Sequence, residues 1–181
     1  KKGITTTAPN QYLHIDTTYW DKIDSGHKAA IVFASDNFSR FITGFTVAER
    51  NSAINIAHTL QQTIRTIQHH HPDHKCITRL VADGGSENHA VSITELLVQT
   101  KRPPIQKLIA KTDIQYSNSP IEAINKICKR YLRYYKPKTI EQLKIIIGLF
   151  VQEYNTIRPH GKLKGLTPLQ AYQNQQPEDF K

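Results

Sequence analysis

Along residues 11–18, QYLHIDTT, apolar and polar positions alternate, with Leu13, Ile15 and Thr17 on one side and Tyr12, His14 and Asp16 on the other. A period of two predicts a half-buried strand, here ending at Asp16. A polar loop with Asp21, Asp24, Ser25 and Gly26 follows. Ala29–Ser35 (AAIVFAS) is a near-continuous apolar strand, Asp36-Asn37 supplies turn chemistry, and Phe41–Ala48 (FITGFTVA) reads as a third strand. Three strands with short connections predict an antiparallel meander.

The period then lengthens. Ser52 is placed to cap a helix burying Ile56, Ala57, Leu60, Ile64 and Ile67, which ends at His69-His70-His71-Pro72. Ile77–Ala82 predicts a fourth strand running into Asp83-Gly84-Gly85, and Val91–Thr100 a helix burying Ile93, Leu96 and Leu97. A short strand near Ile105–Ala110 precedes a polar loop. A capping box at Thr139–Gln142 opens a helix that packs Leu143, Ile146, Ile147, Phe150, Val151 and Tyr154, and a last short helix starts from Thr167. The order predicts an α/β fold: a five-stranded mixed sheet with helices on both faces and a helical C-terminal extension. We divide it as a core over residues 9–156 and a tail over 157–181 whose short helix packs on the core.

Between the polar loop and the Thr139 helix lies SNSPIEAINKICKRYLRYY, residues 117–135. Ser119 reads as N-cap, Pro120 as first helical residue and Glu122 as the third. Ile121, Ile124, Cys128, Leu132 and Tyr135 make one apolar face, while Glu122, Asn125, Lys126, Lys129 and Arg133 share another. One carboxylate thus heads a basic stripe. Two readings stay open: a metal or acid site lying against a polyanion, or a capping box in which Glu122 satisfies a backbone N–H.

Charge sharpens the picture. The net charge is +9, yet residues 101–165 hold 14 Lys or Arg against 4 Asp or Glu, and the remainder is close to neutral. A segment carrying the whole excess fits a surface that meets phosphates; a merely solubilising surface mixes both signs. With 181 residues, 38% of them hydrophobic and 22% charged, the composition is that of one soluble globular domain. No apolar run nears the roughly 20 residues that span a bilayer, so no membrane role is expected, and no signal-peptide pattern opens the chain. Cys76 and Cys128 lie far apart in sequence, as in a reduced, intracellular protein. The lack of any methionine, and so of an initiator at Lys1, is expected of a piece of a longer chain.

Ligands of open α/β sheets bind beyond the C-terminal strand ends. Asp16 ends the first predicted strand and Asp83 the fourth; if these are neighbours, the carboxylates lie side by side and Glu122 closes the group. Three hard oxygen ligands suit Mg²⁺ or Mn²⁺, and two such ions serve phosphoryl transfer. Taken singly, a strand-end Asp is more often a turn or cap residue, the role we assign to Asp36 and Asp113.

The motifs His14-Ile-Asp16-Thr-Thr, Asp36-Asn-Phe-Ser-Arg40-Phe, Ala82-Asp83-Gly-Gly-Ser-Glu-Asn88 and Asn118-Ser-Pro-Ile-Glu122, in this order, resemble the catalytic core of DDE transposases and retroviral-type integrases. Tyr154-Asn-Thr-Ile-Arg158-Pro-His160, followed by Leu166-Thr-Pro168-Leu-Gln-Ala-Tyr172, is similar to the C-terminal signature of bacterial insertion-sequence transposases of that group. The resemblance implies an RNase H-like fold, two Mg²⁺ or Mn²⁺ ions, and cleavage and joining of DNA strands at element ends and target DNA. It implies Asp16 on both metals, Asp83 on one and Glu122 on the other, with Asn118, Asn125, Lys126, Lys129 and Arg133 toward DNA. It also implies a homodimer or higher multimer, in a bacterial cytoplasm at the nucleoid. Two features depart from the pattern: Gly84 stands where the family has Asn, and the 38 residues between Asp83 and Glu122 slightly exceed its usual interval, an excess a longer loop around Thr112–Asn118 absorbs.

The competing functions are a structure-specific nuclease of the same fold and a catalytically silent DNA-binding or assembly module. His69, His70, His71, His74 and Cys76 invite a zinc reading, but their spacing matches no structural zinc signature and a solvated loop is the expectation. Trp20 is read either as lining the active site or as a loop anchor. Tyr131, Tyr134 and Tyr135 are read as base-stacking candidates of which some belong to the core.

Overall fold

The computed structural model describes residues 4–24, 26–83, 91–100, 102–110 and 119–174, with the backbone alone at 91, 92, 94, 95 and 119. Five strands form one sheet: β1 (Tyr12–Trp20), β2 (Ala29–Asp36), β3 (Ile42–Ala48), β4 (Thr78–Ala82) and β5 (Ile105–Ile109), in spatial order β3-β2-β1-β4-β5. The meander is antiparallel, and β1–β4 and β4–β5 are parallel, as a crossover through a helix requires. β1 runs on to Trp20 rather than stopping at Asp16, because β2 pairs with it along its whole length, from Leu13–Asp36 to Trp20–Ala29.

Helices cover both faces. α1 (Ala53–His70) and α2 (Val91–Gln99) bury Ile56, Leu60, Ile67, Ile93 and Leu97 against Leu13, Ile15, Val32, Ala34, Leu80 and Ala82. α3 (Ser119–Tyr135) and α4 (Ile140–Thr156) cover the other face, where Ile121, Ile124, Cys128, Leu132, Ile147 and Phe150 meet Trp20, Ile31 and Phe33. Strand alternation divides β1 between these cores: odd residues face α1 and α2, even residues face α3 and α4. Ser52, Thr139 and Thr167 cap their helices as read from sequence, the latter two with full capping boxes. Among the described residues no helix is long and apolar enough to cross a membrane.

α1 approaches β3 closely because Gly44 has no side chain: a Cβ there would stand 2.5 Å from the Thr59 carbonyl oxygen. The contact is polar as well as apolar. Thr66 Oγ1 donates to the Thr43 carbonyl at 2.9 Å, and the Phe45 N–H donates to Gln62 Oε1 at 3.1 Å. From α4, Asn155 takes both backbone groups of Ile42: Oδ1 accepts its N–H at 2.9 Å and Nδ2 donates to its carbonyl at 3.0 Å.

The turn after β2 is built on Asp36, fully buried, which accepts from the Ser39 N–H and hydroxyl at 2.7 and 2.6 Å and from the Asn10 N–H at 2.8 Å. This is the turn role read from sequence, and burial raises its carboxyl above the usual range despite those bonds. α5 (Pro168–Tyr172) carries a fully buried Tyr172 that stacks on Phe41 at 4.6 Å, donates to Asn10 Oδ1 at 2.7 Å, and meets the edges of His70 and His71. These two histidines are therefore partly packed on the tail helix, which corrects the expectation of a wholly solvated loop.

Replacing Asn155 by Ala leaves both groups of Ile42 buried without partners. The expected cost is about 2 kcal/mol, or roughly 4–8 °C in Tm, read by thermal denaturation.

Candidate active site

β4 pairs with β1 only through Tyr12–Arg79, Leu13–Leu80 and His14–Val81. Continuing that offset by two residues sets Asp16 beside Asp83, past the C-terminal end of β4, with both on the face that α3 covers. Asp16 is half-buried and Asp83 exposed. Glu122 is exposed in the first turn of α3, where the helix dipole favours a carboxylate.

The three acids feel one another. Burial, and then the charges of Asp83 and Glu122, push the Asp16 carboxyl up to about 6, against the lowering effect of its hydrogen bonds. Those bonds fix its orientation: the Thr17 N–H donates to Oδ1 at 2.9 Å and Asn125 Nδ2 donates to Oδ2 at 2.9 Å. Among the described residues no three His, Cys, Asp or Glu side chains are grouped closely enough to hold an ion.

α3 sorts the other predicted residues. Ile121, Ile124, Cys128 and Leu132 are buried as expected, and burial pushes the Cys128 thiol up to about 12. Lys126, Lys129 and Arg133 are exposed and form the stripe. Asn125, read as part of that stripe, is instead turned inward, 9% exposed, with its Oδ1 buried and unpaired. Its contact with Asp16 went unseen in the sequence; the only signal was its place one turn after Glu122, on the border of the apolar face. Tyr135, read as buried, is exposed, because α3 ends there and Lys136 turns the chain with a left-handed φ of 48°. Tyr131 packs on Phe150 at 5.4 Å while Tyr134 is largely exposed. Trp20 is an anchor, its Nε1 donating to the Pro137 carbonyl at 3.1 Å. Asn118, Gly84, Asp113 and the Ser119 cap contact lie outside the described residues and side chains.

Comparison with known proteins bears on the family and the fold. A family model described as integrase core domain matches residues 6–120, and a second of the same description matches residues 106–168. The structure resembles the catalytic core domain of BIV integrase, with a TM-score of 0.66 and 21% identity over 91% of this chain and 95% of that one. It resembles the HTLV-2 integrase catalytic core domain solved with magnesium in a dimeric form, with a TM-score of 0.65 and 16% identity over 91% and 97% of the two chains. A simian T-cell lymphotropic virus intasome, solved with the PP2A regulatory subunit B56 gamma, gives a TM-score of 0.74 and 14% identity over 99% of this chain. The chain spans 59% of the length of that intasome chain. No curated protein sequence matches it. At these identities the structural likeness speaks to the fold, which is RNase H-like.

Asp16 gives a pH signature. An aspartate ordinarily titrates near 4 and here near 6. Between those values the folded chain holds a proton that the unfolded chain releases, so this group's contribution to stability falls as pH rises from about 4 to about 6. Glu122→Gln removes one repelling charge, and the Asp16 midpoint, followed by carboxyl carbon NMR, is expected to move down; an unmoved midpoint would show that the two groups do not interact.

Proposed function

The chain belongs to the integrase core domain family, and we propose that it is the catalytic core of a DNA transposase or integrase that cleaves and joins strands with divalent metal ions. The observation that carries the reading is the placement of Asp16, Asp83 and Glu122 at one open end of the sheet, where the charges of the other two add to burial in raising the Asp16 carboxyl, beside a helix whose exposed face is cationic. Carboxylates near enough for one to sense the charge of the others are donors suited to hard cations.

Asp16 would hold both of two Mg²⁺ or Mn²⁺ ions, Asp83 one and Glu122 the other. When bound, such ions supply charge neutralisation for the phosphodiester and for the attacking and leaving oxygens. The reaction is two in-line displacements at phosphorus. In the first, water attacks, a P–O bond breaks and a 3′-OH leaves; in the second, that 3′-OH attacks a phosphodiester of target DNA and releases its 3′ oxygen. Asn125 positions Asp16 through its bond to Oδ2, keeping one carboxylate oxygen in place while the other is held by Thr17. Lys126, Lys129 and Arg133, with Asn118 ahead of the helix, would bind the DNA backbone by counterion release, so affinity falls steeply with salt. Handling two DNA ends calls for a multimer, and the HTLV-2 integrase core was solved in dimeric and trimeric forms; it also calls for a place where DNA is accessible, the bacterial cytoplasm at the nucleoid.

One observation favours a second reading, a silent DNA-binding or assembly module: among the described residues the acids are not grouped to close on an ion. Mg²⁺- or Mn²⁺-dependent nicking and joining of a labelled oligonucleotide separates the two. Glu122→Gln is expected to fold with stability within about 0.5 kcal/mol of wild type, since the side chain is exposed. Its strand chemistry should drop by about three orders of magnitude, the scale of several kcal/mol of lost metal-assisted stabilisation. Wild type and Asp16→Asn nicking equally would sink the catalytic reading.

A further inference from the structure

Two adjoining cavities, of about 350 and 560 Å³, share Ile4, Asn37, Arg40 and Lys162 in their walls and so form one groove. The smaller begins beside the acids: it is lined by His14, two residues before Asp16 on the same face of β1, and by Pro120 and Ala123, which flank Glu122 on α3. The larger carries the groove on to Lys164. Its walls hold Arg40, His160, Lys162 and Lys164, and no Asp or Glu lines either cavity among the described residues.

Arg40 and the two lysines stand on tightly turned backbone, with His160, held toward its neutral form by burial and by the charges of Arg158 and Arg40, in the same wall. Arg40 sits at a left-handed φ of 64° and donates from Nη1 to Asn37 Oδ1 at 3.3 Å. His160 packs against Tyr154 at 5.0 Å, close enough to Arg40 and Arg158 to feel both charges, and its buried Nε2 has no hydrogen-bond partner. A tight 3₁₀ turn over Gly161–Leu163, closed by Lys164 at a φ of 53°, holds the two lysines at the rim. Three cationic side chains, Arg40, Lys162 and Lys164, in a groove that no described carboxylate lines give it a positive surface suited to an anion.

We propose that this groove binds the sugar–phosphate backbone of a single DNA strand leading to or from the carboxylates, with phosphates at Arg40, Lys162 and Lys164. The inference rests on the reading of the chain as a DNA-processing core, and it gives the C-terminal signature a part in holding substrate. The volumes are those of cavities that take a small organic molecule, so they admit one or two nucleotides of one strand and not a duplex.

Binding is measured by fluorescence anisotropy with a labelled single-stranded 15-nucleotide probe in EDTA, using the full chain. Under these conditions strand chemistry plays no part, so the result is separable from the nicking assay. The double variant Lys162→Gln/Lys164→Gln is expected to bind about tenfold more weakly and to lower the salt slope by about 1.4, the value for two lost single-strand phosphate contacts. Both lysines are exposed, and an unchanged thermal midpoint confirms folding. Lys75→Gln, at an exposed site lining neither cavity, should change neither quantity. Wild-type affinity and slope in the double variant, an equal loss in Lys75→Gln, or an effect confined to duplex DNA would each overturn the proposal, whether or not the protein nicks DNA.

Discussion

Three carboxylates held at the end of one sheet repel one another, and the fold must hold them there against that repulsion. Burial raises the Asp16 carboxyl most, and the charges of Asp83 and Glu122 add to it. What keeps the group together is covered backbone. β2 is buried along its entire length, β1 is paired with it over eight positions, and apolar helices close both faces. Asp16 thus stands on a segment that cannot relax away from its neighbours. Asp83 and Glu122 sit at a strand end and a helix start, the places where an exposed acid costs little.

Much of this was legible in the chain because the signals are local. The alternation of Leu13, Ile15 and Thr17 against His14 and Asp16 fixes which β1 side chains share a face, and the caps at Ser52, Thr139 and Thr167 mark helix starts that the structure keeps. Placing Asp16 beside Asp83 needed one non-local fact, the parallel pairing of β1 with β4, which follows once a helical crossover joins them. The inward turn of Asn125 was not legible. Its helical position lies between the faces, and the deciding partner is 109 residues away. Tyr135 was misread for a related reason: periodicity continues in sequence after the helix has run out of surface to pack on.

The C-terminal signature also gains a physical account. Tyr154 is core, Asn155 clamps Ile42, and Tyr172 ties the tail to Asn10, Phe41 and the end of α1. The same segment then turns outward at His160 and exposes Lys162 and Lys164. Structural anchors and surface cations alternate over a few residues, so their motif spacing is tied to the sheet on one side and to charge on the other.

The clamp on Ile42 has a consequence for how copies of this protein can meet. β3 is an outer strand of the sheet, and an outer strand ordinarily offers a row of free amides and carbonyls to any passing chain. Here side chains of α4 and α1 already occupy the backbone of Ile42, Thr43 and Phe45. The first half of that border is thereby guarded against edge-to-edge pairing. A second copy pairing along Ile42–Phe45 would first have to displace these side chains.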